Sequence, residues 1–244
     1  MTEPPTLPAR NEPELPLHTP SGASLSAAAF IALIAWLALA AQADITIGRL
    51  AVRGYGLLDA LERMSSYLTN LTALLCALSF TCVALRPSTP LGRFFRAPTV
   101  VTATVVYMVF VGLAYNLLLR HLWTPSGYRS LVNESLHTVL PIFAALYWLL
   151  FVPRFHLTIR QSLLWLVYPL TYIAVTMLRG RLSDFYPYPF IDVLELGYER
   201  VLINETLLVC AFLGLMAMFL AINHRRPRSR DSSAVQNVRQ DAGS

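Results

Sequence analysis

The stretch "LVNESLHTVLPIFAALYWLL", residues 131–150, is long and apolar enough to cross a membrane, yet its seventh residue is a histidine. Twenty helical residues rising 1.5 Å each cover the hydrocarbon core, about 30 Å thick. An imidazole at that depth finds no water and must be satisfied by another protein group, so His137 points to a function and to a partner elsewhere in the chain.

Working outward, five more windows of about this length carry no charge except Glu205, and the sequence predicts spans at residues 24–43, 64–85, 99–119, 131–151, 162–178 and 201–222. The chain is 55% hydrophobic and 14% charged, with a mean hydropathy of +0.52, outside the balance of soluble domains. The expected fold is all-α, an integral membrane bundle of six helices at residues 24–222. No room is left for a soluble catalytic domain. Residues 1–23, with six prolines in the first twenty, and the Ser/Arg-rich residues 223–244 read as disordered tails that cannot form a core.

The net charge of +5 does not indicate nucleic acid, because Arg225, Arg226, Arg228 and Arg230 directly follow the last span. Such a cluster reads as a topology signal and an anionic-lipid contact. With six spans the two termini share a side, and that side holds eleven arginines against eight in the other loops. A cell-membrane protein with both termini cytoplasmic is expected. "ALAAQAD" at residues 38–44 has the pattern of a signal-peptidase site, but the Pro-rich acidic segment before it favours an uncleaved helix. Cys76, Cys82 and Cys210 form no CxxC pair and read as small hydrophobes.

The polar residues inside the spans are few and ordered. Ser65, Thr69, Thr72 and Cys76 recur at steps of four, three and four, a small polar stripe along one helix face if residues 64–85 are continuous. Packing alone explains such a stripe as well as function does. Asn133 and Glu134 precede His137 by four and three residues. Pro141 follows it by four, which leaves the His137 carbonyl without its helical donor and loosens the helix there. "LVNESL" (131–136) is echoed by "LINETL" (202–207), where the counterpart of His137 is Leu208, so histidine is not required by the repeated pattern itself. Counted from the same end of the bundle, Thr69 and His137 lie about 7 to 9 Å along their helices and so are level. Asn116, Asn204 and Glu205 fall at the same end.

A threonine hydroxyl becomes a nucleophile when a neighbouring base takes its proton, and asparagine amides can hold the oxyanion that follows. Thr69 and His137 could equally satisfy each other with no chemistry at all. Glu134-x-x-His137 has a ligand-like spacing but no second histidine and no HExxH, so neither metal nor cofactor is expected.

"YLTNL" (67–71), "YNLLLRHLW" (115–123), "NESLHTVLP" (133–141), "WLVYPLTY" (165–172) and "YPYPFIDV" (186–193), in that order, resemble the six-span androgen-induced protein and androgen-dependent TFPI-regulating protein family, in particular its bacterial branch. The resemblance covers roughly residues 25–222. It implies an intramembrane hydrolase of fatty acid esters of hydroxy fatty acids, with Thr69 as nucleophile and His137 as base. It also implies membrane lipids and a lipophilic ester as partners. Asn70 departs from the apolar or aromatic neighbour usual in the animal proteins, and places the acyl pocket in question. Asn70, Asn116, Asn133, Tyr172, Asn204 and Glu205 are the candidate substrate-binding residues. A small-molecule transporter or channel, and a non-catalytic structural membrane protein, stay open as alternatives; the oligomeric state is not encoded in any motif. The "FYPYPF" segment (185–190) is expected to lie over the mouth of the bundle as a lid.

Overall fold

A computed structural model describes residues 20–225 of the chain, so the tail segments 1–19 and 226–244 lie outside the described residues. The described part is all-α, and six of its helical segments are long and apolar enough to cross a membrane. The protein is a multi-pass membrane bundle.

The first crossing, α1 (Gly22–Ala51), starts two residues before the expected span, because the Ser21 hydroxyl caps it by accepting from the Ser24 N–H at 3.2 Å. It also continues beyond Ala43 without a break. Inside the bundle, polar side chains meet in pairs, as lipid-exposed hydroxyls cannot: Ser24 with Tyr147 at 2.9 Å, Thr72 with Tyr168 at 2.9 Å and Ser79 with Thr104 at 3.3 Å. Large apolar side chains such as Leu37, Leu150 and Leu207 point outward, toward the lipid.

The second crossing differs from the expected 64–85. A short helix, α2 (Leu57–Ser65), ends first, Tyr67 is extended (φ −98°, ψ 123°), and α3 (Leu68–Leu85) then crosses. The cause is local. Asn70 Nδ2 takes the Met64 carbonyl at 3.0 Å, the acceptor that the Leu68 N–H would use in a continuous helix, while the hydroxyls of Ser65 and Ser66 add to the Ser66 N–H on the Glu62 carbonyl. Ser65 is exposed on α2, which reduces the polar stripe to Thr69, Thr72 and Cys76.

After the short α4 (Pro90–Phe95), the third crossing is α5 (Pro98–Ala114), extended by a π-helical turn at Tyr115–Leu119 and a 3₁₀ turn at Arg120–Leu122. The fourth joins α6 (Tyr128–Glu134), a second π-helical turn at Ser135–Val139 and α7 (Leu140–Phe151). The fifth runs from α8 (Ile159–Leu163) through α9 (Val167–Ser183), both longer together than the expected 162–178. The sixth, α10 (Val193–Arg225), begins eight residues before the expected 201 and is interrupted at Gly197, whose φ is +74°. It also includes residues 223–225, read from sequence as tail.

α5 and α7 approach closely where Gly112 faces Pro141. A Cβ on Gly112 would lie 2.7 Å from Pro141 Cγ and 3.0 Å from the His137 carbonyl oxygen. Gly112→Val is therefore expected to destabilise the bundle by roughly 1–3 kcal/mol through overpacking. Gly214→Ala, with nothing within 4 Å of its Cβ position, should be neutral or mildly stabilising. Thermal unfolding in detergent distinguishes the two.

Candidate functional site

The two π-helical turns sit side by side and hold His137 from three directions. Pro141 supplies no N–H to the His137 carbonyl, and Asn116 on the facing turn replaces it, its Nδ2 donating to that oxygen at 3.0 Å and to the Gly112 carbonyl at 2.8 Å. The amide orientation of Asn116 is set in turn by Arg120, whose Nε donates to Asn116 Oδ1 at 2.7 Å while its Nη2 reaches both Glu134 oxygens at 2.7 Å. Tyr115 stacks on the His137 ring with centroids 3.8 Å apart and an interplanar angle of 21°. One turn of the wider helix on each span thus faces the other across the ring.

The third contact determines the chemistry. His137 Nδ1 is 2.9 Å from the Asn133 carbonyl, an acceptor only, so Nδ1 carries the proton of the neutral ring. Nε2 then presents a lone pair. Thr69 Oγ1 lies 3.3 Å from it, within reach for the hydroxyl to donate. The two residues that sequence placed at one depth in separate spans are in direct contact.

Thr69 is the second residue of α3, where main-chain N–H groups have no acceptor within the helix, and Tyr67 provides no side-chain cap. The Tyr188 hydroxyl stands beside this spot, close to the Thr69 hydroxyl, the main-chain N–H groups of Leu68 and Thr69, and the Tyr172 hydroxyl. Burial pushes the Tyr188 phenol above its ordinary range, which keeps it a donor. Tyr172 itself donates to the Ser66 carbonyl at 2.8 Å.

Tyr188 arrives on a strap, residues 184–192, that crosses the end of the bundle. The strap is fixed along its length. Tyr186 is buried on Gly180, where any Cβ would collide with its ring. Arg63 covers Phe185 at 3.6 Å, Tyr67 meets Tyr188 edge-on at 5.8 Å, and Asn204 Nδ2 donates to the Phe190 carbonyl at 2.8 Å. The sequence expectation of a segment packed over the mouth agrees with this placement.

Two chambers meet at the pair. A small apolar one of about 80 Å³ is lined by Phe110, Ile173, Leu208 and Phe212, and by Glu205, whose Oε1 has no hydrogen-bond partner among the described residues. A wider polar one of about 380 Å³ holds His137 and the Asn70 and Asn133 side chains. Thr69, Tyr115, Leu119 and Tyr188 belong to the walls of both.

No protein-family model, curated protein or solved structure matches this chain.

Of the residues expected to bind substrate, Tyr172 and Glu205 face the apolar chamber, and Asn70 and Asn133 the polar one. Two others, Asn116 and Asn204, stand apart from the pair. The amide donor of Asn116 is committed to main-chain carbonyls beneath His137, and that of Asn204 holds the strap, so neither faces the pair. The N–H groups nearest the pair that lack an acceptor within a helix are those at the start of α3, with the Tyr188 hydroxyl beside them, and the Asn70 amide also serves a carbonyl, that of Met64. Tyr115 and Tyr188 were missed. The signals for them were the proline four residues past His137, which demands an outside donor and so a close neighbouring span, and the "YPYP" run at 186–189.

Asn116→Leu should leave the His137 carbonyl unsatisfied in an apolar surround and cost about 1–3 kcal/mol. The check is the unfolding temperature in detergent, where Asn204→Leu, at the strap, is expected to shift it less.

Proposed function

We propose that the protein is an intramembrane hydrolase of lipophilic esters in which Thr69 is the nucleophile and His137 the base. One observation carries this reading: Thr69 Oγ1 is 3.3 Å from an imidazole nitrogen whose opposite nitrogen is held at 2.9 Å by a carbonyl, the orientation a general base needs. The resemblance of the YLTNL and NESLHTVLP stretches to the androgen-induced protein family supports it independently.

In this mechanism the Thr69 proton passes to His137 Nε2 as Oγ1 bonds to the ester carbon. The carbonyl oxygen, now negative, displaces the Tyr188 hydroxyl from the free N–H groups of Leu68 and Thr69, and that hydroxyl turns to donate to it as well. Collapse breaks the ester C–O bond, and the departing alcohol takes the proton from His137. The acyl-Thr69 ester is then cleaved by water entering through the polar chamber, with His137 as base again, and the fatty acid and the free Thr69 hydroxyl are restored. The apolar chamber, at about 80 Å³, takes only the first carbons of the acyl chain, and the remainder runs out among the lipid. Glu134 has no step in this sequence, since its carboxylate is held by Arg120.

We further infer that the bundle lies in the cell membrane with both termini cytoplasmic, so that the polar chamber opens outward. Thr124 stands exposed at the chamber end and Ser88 exposed at the other. In a background with Cys76, Cys82 and Cys210 replaced by alanine, Thr124→Cys should react with an impermeant maleimide on intact cells and Ser88→Cys should not. The reverse pattern inverts the orientation.

Purified protein tested on fatty acid esters decides the chemistry. Thr69→Ala and His137→Ala should each lower kcat by roughly a thousandfold or more, and the double variant should be no worse than either, because residues that act as one unit are not additive. A folded Thr69→Ala protein with full turnover excludes the mechanism.

A further inference from the structure

The polar chamber has a one-sided charge that the proposed chemistry does not use. Arg49 on α1, Arg63 on α2 and Arg129 on α6 all contribute to its wall, and no aspartate or glutamate does. The two ion pairs among the described residues, Arg120 with Glu134 and Arg179 with Glu62, involve none of these three. Three separate elements therefore bring guanidinium groups, none of them in either ion pair, to the cavity that contains His137 and borders Thr69, although Arg63 also covers Phe185 and shares a neighbouring pocket with Asp59 and Glu62. Like charges around a shared cavity repel one another, and the arrangement is relieved by an anion bound between them.

The charge count selects the anion. A carboxylate would neutralise one of the three. A phosphomonoester carries close to two negative charges and offers three oxygens, which suits several planar guanidinium forks at once. The shape of the site determines what else the molecule carries. Thr69 and Tyr188 form the boundary between the arginine-lined chamber and the apolar one, so a ligand with an ester carbon at Thr69 extends its acyl chain one way and its head the other.

We propose that the substrate is an ester lipid with a phosphomonoester head, of the monoacylglycerol-phosphate class, whose phosphate lies among Arg49, Arg63 and Arg129. Its cleavage consumes one water and yields a fatty acid and glycerol phosphate. The ester part of this assignment rests on the hydrolase reading; the headgroup part rests on the arginines, and binding can be read without turnover.

The test is calorimetric titration of the Thr69→Ala protein in neutral detergent micelles with four probes: monoacylglycerol phosphate, monoacylglycerol of the same chain, an acyl ester ending in a carboxylate, and inorganic phosphate. The phosphate lipid should bind at least about tenfold more tightly than the neutral one, and the margin should shrink as salt is raised. Arg129→Gln should reduce the margin, Arg129→Lys restore part of it, and the triple Arg49→Gln, Arg63→Gln, Arg129→Gln protein abolish it. Equal affinity for the phosphate and neutral lipids overturns the proposal. So does equal affinity for the carboxylate ester, which assigns the arginines to a simple acid, or equal affinity for inorganic phosphate, which assigns them to a free ion. Selective binding by Thr69→Ala together with no hydrolysis by the unmodified protein would uphold the headgroup site and reject the hydrolase.

Discussion

A single missing hydrogen bond organises the centre of this bundle. Pro141 cannot donate to the carbonyl of His137, and in a lipid surround that oxygen must be satisfied by protein. Asn116 satisfies it from the neighbouring span, at 3.0 Å. For the amide to reach, the third and fourth crossings must nearly touch, which is why Gly112 lies against Pro141 and why a side chain at Gly112 would collide with the proline ring. The same approach brings Tyr115 onto the imidazole. A proline that weakens one helix thereby fixes the position of two.

The order of these contacts explains how a weakly acidic hydroxyl and a neutral imidazole are kept in register without a carboxylate behind the histidine. The Asn133 carbonyl sets the tautomer, Tyr115 sets the plane of the ring, and Asn116 sets the height of its backbone. Glu134, the nearest acid in sequence, is turned away into a pair with Arg120, whose exposed location makes it a modest contributor to stability. The echo of this segment in α10 shows the contrast: Asn204 and Glu205 repeat the amide and acid on a helix without a π-helical turn, and there the amide secures the strap while the acid faces an apolar chamber.

Hydropathy alone made the six crossings legible, because apolar runs of that length have no other stable use. The level of Thr69 with His137 was legible too, since depth follows from residue count along a helix. Helix continuity was not. At residues 64–67 the run stays apolar enough to read as one span, and the break goes with the Asn70 amide capturing the Met64 carbonyl, a competition that hydropathy does not register. The extra crossing length of α10 was hidden by Glu195, Glu199 and Arg200, charges that sit at the bundle end instead of in its middle. Nor could the direction of an asparagine be read: Asn116 and Asn204 are placed at the right end of the bundle yet face backbone, and only tertiary packing decides that.

The break before Tyr67 has one further result. It makes Thr69 the second residue of its helix, so the hydroxyl lies near one end of that crossing and not at its middle. On the proposed function, a substrate lipid reaching that depth is already oriented by its own amphipathicity, tail inward and head toward the arginine-lined chamber. It approaches as a two-dimensional solute. Encounter with such a site is governed by the mole fraction of the lipid in the surface and hardly by its concentration in bulk water, so dilution with inert lipid at constant total concentration lowers occupancy even when nothing in the aqueous phase has changed.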